Sequence, residues 1–139
     1  MSSIILKDID FKENNILLSL EHIKSITVDD IKYNFFKMMI TYENTCIEKE
    51  ILLFEDDIQN LKLSNFTNKS PDYFFNEPDF WFTIIQLNQT DLVLYINFDS
   101  GLNHMNMATE SGFSVRMNVT KESFNIFIYK LKSFIYKKS

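Results

Sequence analysis

The segment Phe113–Thr120, FSVRMNVT, alternates apolar and polar residues without a break and runs straight into KESFNIFIYKLKSFIYKK. Side chains alternate along an extended chain, so Phe113, Val115, Met117 and Val119 share one face and Ser114, Arg116, Asn118 and Thr120 the other. One wet face is the habit of antiparallel sheets. Thr120 then stands where a helix N-cap belongs, with Glu122 in the first turn near the positive end of the helix dipole. From there Phe124, Phe127, Ile128, Leu131, Phe134 and Ile135 recur at helical spacing, and lysines gather at the far end. A half-buried strand feeding an amphipathic helix leaves two apolar faces, and covering one with the other gives a layered α+β fold.

The rest of the chain supplies more strands. NILLSL (Asn15–Leu20) is an apolar run of strand length, and IILK before it is positioned to pair with it. Tyr33–Asn44 puts Phe36, Met38, Ile40 and Tyr42 on one face, and Cys46–Ile51 alternates apolar and charged residues. A helix is expected from about Phe54, where Glu55, Asp56 and Asp57 gather and Phe54, Ile58 and Leu61 follow at helical spacing. Asn65–Asp72 reads as loop. Asp79–Leu87 is apolar on both faces, Asn88–Asp91 makes a turn, and Leu92–Phe98 returns before the polar loop Asp99–Gly112. The expectation is a single α+β domain over residues 1–139. It comprises a mainly antiparallel twisted sheet of about six or seven strands, one central helix, and the C-terminal amphipathic helix packed on the sheet. No repeat, low-complexity tract or linker divides it.

Composition narrows the chemistry. With two glycines a Gly-rich phosphate loop cannot be built. Two histidines and one cysteine do not furnish a four-ligand zinc cage, so neither metal nor cofactor is expected. A lone cysteine forms no internal disulfide and suits a reducing compartment. The N-terminus lacks a signal-peptide pattern and no apolar run approaches the ~20 residues of a membrane span, so the reading is cytoplasmic, with no membrane partner. A net charge of −5 and a single arginine, Arg116, argue against nucleic acid and suit a basic partner. Cys46 reads as an inert buried thiol and His104 as a solvated loop histidine.

FFNEPDFWF (Phe74–Phe82) crowds five aromatic rings around two carboxylates and a proline. Pro78 lacks an N–H and belongs at a strand's start, so the rings open a core strand. Glu77 followed by Pro78, an apolar strand with Phe80 and Phe82, a return strand, a long polar loop, a half-wet strand and a helix striped by Phe124, Phe127 and Leu131 resembles the WapI-like family of bacterial immunity proteins. The similarity spans about Glu50 to Lys137. It implies a cytoplasmic antidote of a polymorphic, contact-dependent toxin, with a cognate protein toxin as partner and no catalytic residue to carry over.

The family's toxin-facing surface varies, so the candidate toxin-binding residues come from charge and exposure: Glu55, Asp56, Asp57, Asp72, Tyr73, Glu77, Asp99, His104 and Glu110. The protein is expected to be a monomer or weak homodimer and not an enzyme. Two other readings stay open. One is a small-ligand protein with a pocket lined by Phe80, Trp81 and Tyr95. The other is a small enzyme using a carboxylate pair, Glu77 with Asp79 or the run Glu55-Asp56-Asp57.

Overall fold

Alternating apolar positions separated by short polar turns produce antiparallel neighbours in chain order, and this rule builds both halves of the molecule. The computed structural model describes residues 3–67, 69–76, 80–98 and 114–136. In chain order the elements are β1 (Ser3–Lys7), α1 (Phe11–Asn14), β2 (Leu17–Val28), β3 (Ile31–Tyr42), β4 (Thr45–Phe54) and α2 (Glu55–Gln59). A 3₁₀ turn (Leu63–Asn65) follows, then β5 (Asp72–Phe74), β6 (Phe80–Gln86), β7 (Asp91–Phe98), β8 (Ser114–Thr120) and α3 (Lys121–Tyr136).

The fold is α+β, but the strands form two four-stranded antiparallel sheets, β1-β2-β3-β4 and β5-β6-β7-β8, rather than one sheet of six or seven. β1 of the first sheet lies beside β8 of the second. The Ile9 N–H donates to the Asn118 carbonyl at 2.8 Å, and the Asn118 N–H donates to Asp8 Oδ2 at 2.7 Å. Asp8 Oδ1 also accepts the Asp10 N–H at 2.8 Å and Asn14 Nδ2 at 3.0 Å, so this buried carboxylate holds the turn after β1 and the seam together. The central helix is shorter than expected, five residues ending at Gln59 with Asn60 as its C-cap. It ties β4 to the segment after β5: the Asn76 N–H donates to Asp57 Oδ1 at 2.9 Å.

Both sheets turn their apolar faces to one cluster. Leu18, Leu20, Phe36, Met38, Ile40, Ile51 and Leu53 come from the first sheet, and Phe80, Phe82, Ile84, Leu94, Ile96, Met117 and Val119 from the second. α3 inserts Phe124, Phe127, Ile128, Leu131 and Phe134 into that cluster and packs on β1, β8 and α2. The side chain of Ile135 lies outside the described residues, as does Phe113. Thr120 caps α3 as its sequence position requires, its Oγ1 accepting the Ser123 N–H at 3.0 Å.

Three local expectations are corrected. β2 runs on to Val28, past the expected end at Leu20. The stretch read as loop opens with the 3₁₀ turn and closes with Asp72 already in β5. Cys46 is exposed, because it is the second residue of edge strand β4 and lies on the outward face. Among the described residues no helix is long and apolar enough to cross a membrane.

Candidate functional site

β2 and β3 each span 12 residues, and their buried positions run only from Leu18 to Leu20 in β2 and from Asn34 to Ile40 in β3. Beyond Ile23 the hairpin carries apolar side chains into solvent: Ile23, Ile26, Val28 and Ile31 are 44–50% exposed. Cross-strand register groups them. Val28 faces Ile31, Ile26 faces Tyr33, and Tyr33 faces Phe54 of β4, while Lys24, Phe35 and Leu52 form the next row. Tyr33 and Phe54 meet edge to face at 5.0 Å, and Lys24 Nζ lies 5.0 Å over the Phe35 ring. The rows share the outward face of the first sheet, since the inward positions of β3 are Asn34, Phe36, Met38 and Ile40.

Acids border this apolar face. Asp29 and Asp30 form the two-residue tip of the β2–β3 hairpin with φ of 52° and 66°, the left-handed pair that a type I′ turn needs. Glu55 and Asp56 begin α2 alongside. Between tip and helix runs an open groove of about 380 Å³ walled by Asp30, Ile31, Lys32, Phe54, Asp56 and Gln59.

What holds the surface in place lies behind it. A β-bulge between His22 and Lys24 brings His22 and Ser25 together, their Nε2 and Oγ 2.8 Å apart. Ser25 Oγ donates to Asn34 Oδ1 at 2.8 Å, and Asn34 Nδ2 donates to the Leu53 carbonyl at 3.3 Å. The direction of this relay follows from its end. A carbonyl only accepts, which fixes the Asn34 amide, makes Ser25 a donor, and leaves His22 Nε2 to donate to Ser25. An imidazole donating to a serine is not poised to take its proton, so His22 and Ser25 are a structural pair. The His22 ring stacks on Phe134 at 5.0 Å, and Lys32 Nζ donates to the Phe134 carbonyl at 3.1 Å, capping the last turn of α3.

The candidate residues named from sequence separate on this frame. Glu55 and Asp56 border the groove. Asp57 is buried: Oδ2 accepts the Phe54 N–H at 2.9 Å, while Oδ1 accepts the Asn76 N–H and Asn76 Nδ2 at 2.9 and 3.0 Å. Burial pushes its pKa up, the neighbouring Asp56 charge adds to the rise, and the N–H donors oppose it. Tyr73 donates its hydroxyl to the Asp57 carbonyl oxygen at 2.5 Å. Burial, with the charges of Asp57 and Asp56, raises its phenol pKa strongly. Asp57 and Tyr73 are therefore the brace behind α2 rather than part of its surface. Asp72, the next residue along β5, faces the other way and accepts the Thr83 hydroxyl at 2.5 Å on the outward side of the second sheet. Glu77, Asp99, His104 and Glu110 lie outside the described residues, as do Pro78, Asp79 and the loop with Met105 and Met107.

The rings of FFNEPDFWF divide between two faces. Phe80 and Phe82 point inward and pack with Phe75, at 4.6 Å and 5.1 Å between centroids. The void they border is about 10 Å³, less than a small organic molecule needs. Trp81 and Tyr95 point outward, so the three residues of the expected pocket do not line one cavity. Among the described residues no group of three or more His, Cys, Asp or Glu side chains is placed to hold a metal ion.

Sequence reasoning missed the apolar half of the surface. Its signal was SITVDDIKY, alternating apolar residues on either side of Asp29-Asp30, a two-residue hairpin pattern. Comparison with protein-family models, with curated proteins and with solved structures found no match.

Proposed function

We propose that the chain is a cytoplasmic immunity protein of the WapI-like kind. It binds a cognate toxin domain through the outward end of the β2–β3 hairpin and α2, and neutralises it by covering the toxin's working surface. The observation that carries this reading is the cluster of exposed Ile26, Val28 and Ile31 with half-buried Tyr33 and Phe54, bordered by Asp29, Asp30, Glu55 and Asp56. Exposed apolar side chains grouped on one face mark a binding site more than chance scatter does. Carboxylates around an apolar centre suit a partner that presents lysines or arginines around apolar residues, as a nucleic-acid-cleaving toxin would. The protein acts stoichiometrically: the apolar centre contributes affinity, and the acidic border speeds encounter with the basic partner.

Co-expression with the toxin domain encoded immediately upstream tests this. The expected outcome is a complex that co-purifies and restores growth. Ile26→Ser with Ile31→Ser should weaken it about tenfold to a hundredfold, as loss of central apolar contacts does. Association should slow with rising salt. Absence of both co-purification and rescue rejects the reading, and equal binding by the double variant moves the interface elsewhere.

A further inference from the structure

The outward face of the second sheet carries a different chemistry. Register sets Asp72, Thr83, Tyr95 and Arg116 in one row across β5, β6, β7 and β8, and Phe74, Trp81, Asn97 and Ser114 in the next. Phe74 is 60% exposed and stacks on Trp81 at 5.7 Å. Asn97 Nδ2 donates to Thr83 Oγ1 at 2.8 Å, and Ser114 Oγ donates to Asn97 Oδ1, so the middle of the face is a fixed polar ladder between aromatic rings. Trp, Tyr and Arg are the side chains most enriched at protein interfaces, and this face holds the chain's single tryptophan and single arginine.

The first row has an acid at one end and a base at the other. They stand three strand spacings apart, about 14 Å, with Thr83 and Tyr95 between them, too far to pair within one chain. Arg116 is exposed and makes no ion pair among the described residues. We propose that this face docks on the same face of a second copy of the chain. A two-fold axis parallel to the strands, between β6 and β7, reverses the strand order. It sets Arg116 of each copy over the partner's Asp72, Tyr95 over the partner's Thr83, and Trp81 over the partner's Asn97. The contact is isologous, so both ion pairs form at once. Such stacking keeps the strands of the two copies aligned at the ~10 Å spacing of packed sheets. Charge complementarity chooses the occupant: the row is the mirror of its own requirement, whereas a uniformly basic or acidic partner would leave one end opposed by like charge.

The face is on the sheet away from the β2–β3 hairpin, so self-association and toxin binding are measured separately. Sedimentation velocity on the full chain over a concentration series, with Trp81 fluorescence on dilution as a second readout, should show a reversible dimer at about tens of micromolar. Asp72→Arg or Arg116→Asp alone should raise the dissociation constant about tenfold or more, because each sets like charges opposite one another twice. The charge-swapped double variant should regain most of the loss. Far-UV circular dichroism checks that each variant is folded, and Arg116→Ala serves if a reversal is not. A wild-type chain that stays monomeric to ~1 mM overturns the proposal. So do folded single variants that dimerise like the wild type, or a folded double variant no better than the singles.

Discussion

Asp57 shows how a carboxylate at a helix start can be structural while its neighbours are not. At the third helical position it reaches back to the Phe54 N–H and sideways to Asn76, satisfying donors that α2 and the chain after β5 would otherwise leave open. Asp57→Ala orphans two backbone N–H groups and should lower unfolding free energy by about 2 kcal/mol, read from urea midpoints at pH 7. The raised pKa sets the pH dependence. Between the unfolded value and the raised folded value the unfolded chain gives up its proton first, so this group's stabilisation is full below the unfolded pKa and falls as pH rises to the folded one. The gap between wild type and Asp57→Ala should therefore be wider at about pH 4 than at pH 7. A narrower gap at acid pH would mean that the N–H donors outweigh desolvation.

Among elements, the β2–β3 hairpin couples stability to recognition. Asp29 and Asp30 occupy left-handed backbone positions that cost a β-carbon-bearing residue roughly 1–2 kcal/mol, less for Asp than for most. The double variant Asp29→Asn with Asp30→Gly installs the pair that type I′ turns prefer and removes two carboxylates. It should raise stability by about 1 kcal/mol in denaturant titration while slowing association with the basic toxin partner, opposite effects that a merely structural turn would not show. This hairpin also marks where the sequence became hard to read. β8 and α3 were legible because strict alternation runs into a capped helix with nothing between. In β2 the bulge inserts one residue between His22 and Lys24, so Ile23, Ile26 and Val28 fall out of step and the period of two is lost. Glu55 and Asp56 were legible as an acidic helix start. Their apolar neighbours Ile26, Ile31 and Tyr33 were not, because their grouping depends on register across three strands.

At the scale of the whole molecule, strand segments do not declare which edges meet, and the division into two sheets turns on a contact 110 residues apart in sequence. Asp8 makes that contact. Its two oxygens accept three N–H donors, one from Asn118 on the other sheet, beside the backbone bond from Ile9 to the Asn118 carbonyl. Asp8→Ala leaves the Asp10 and Asn118 N–H groups without their acceptor and should cost about 2–3 kcal/mol. The loss will not separate the sheets into independent units, because inward residues of both sheets and of α3 belong to one apolar cluster, and a shared core unfolds cooperatively. The expected signature is a lower urea midpoint with an unchanged slope, and fluorescence from Trp81 in the second sheet changing together with far-UV circular dichroism from both. Hydrogen exchange should quicken most at the amides of Ile9 and Asn118, which cross the seam. Two separate transitions would instead show that the Asp8 carboxylate, rather than the common core, makes the two sheets fold as one.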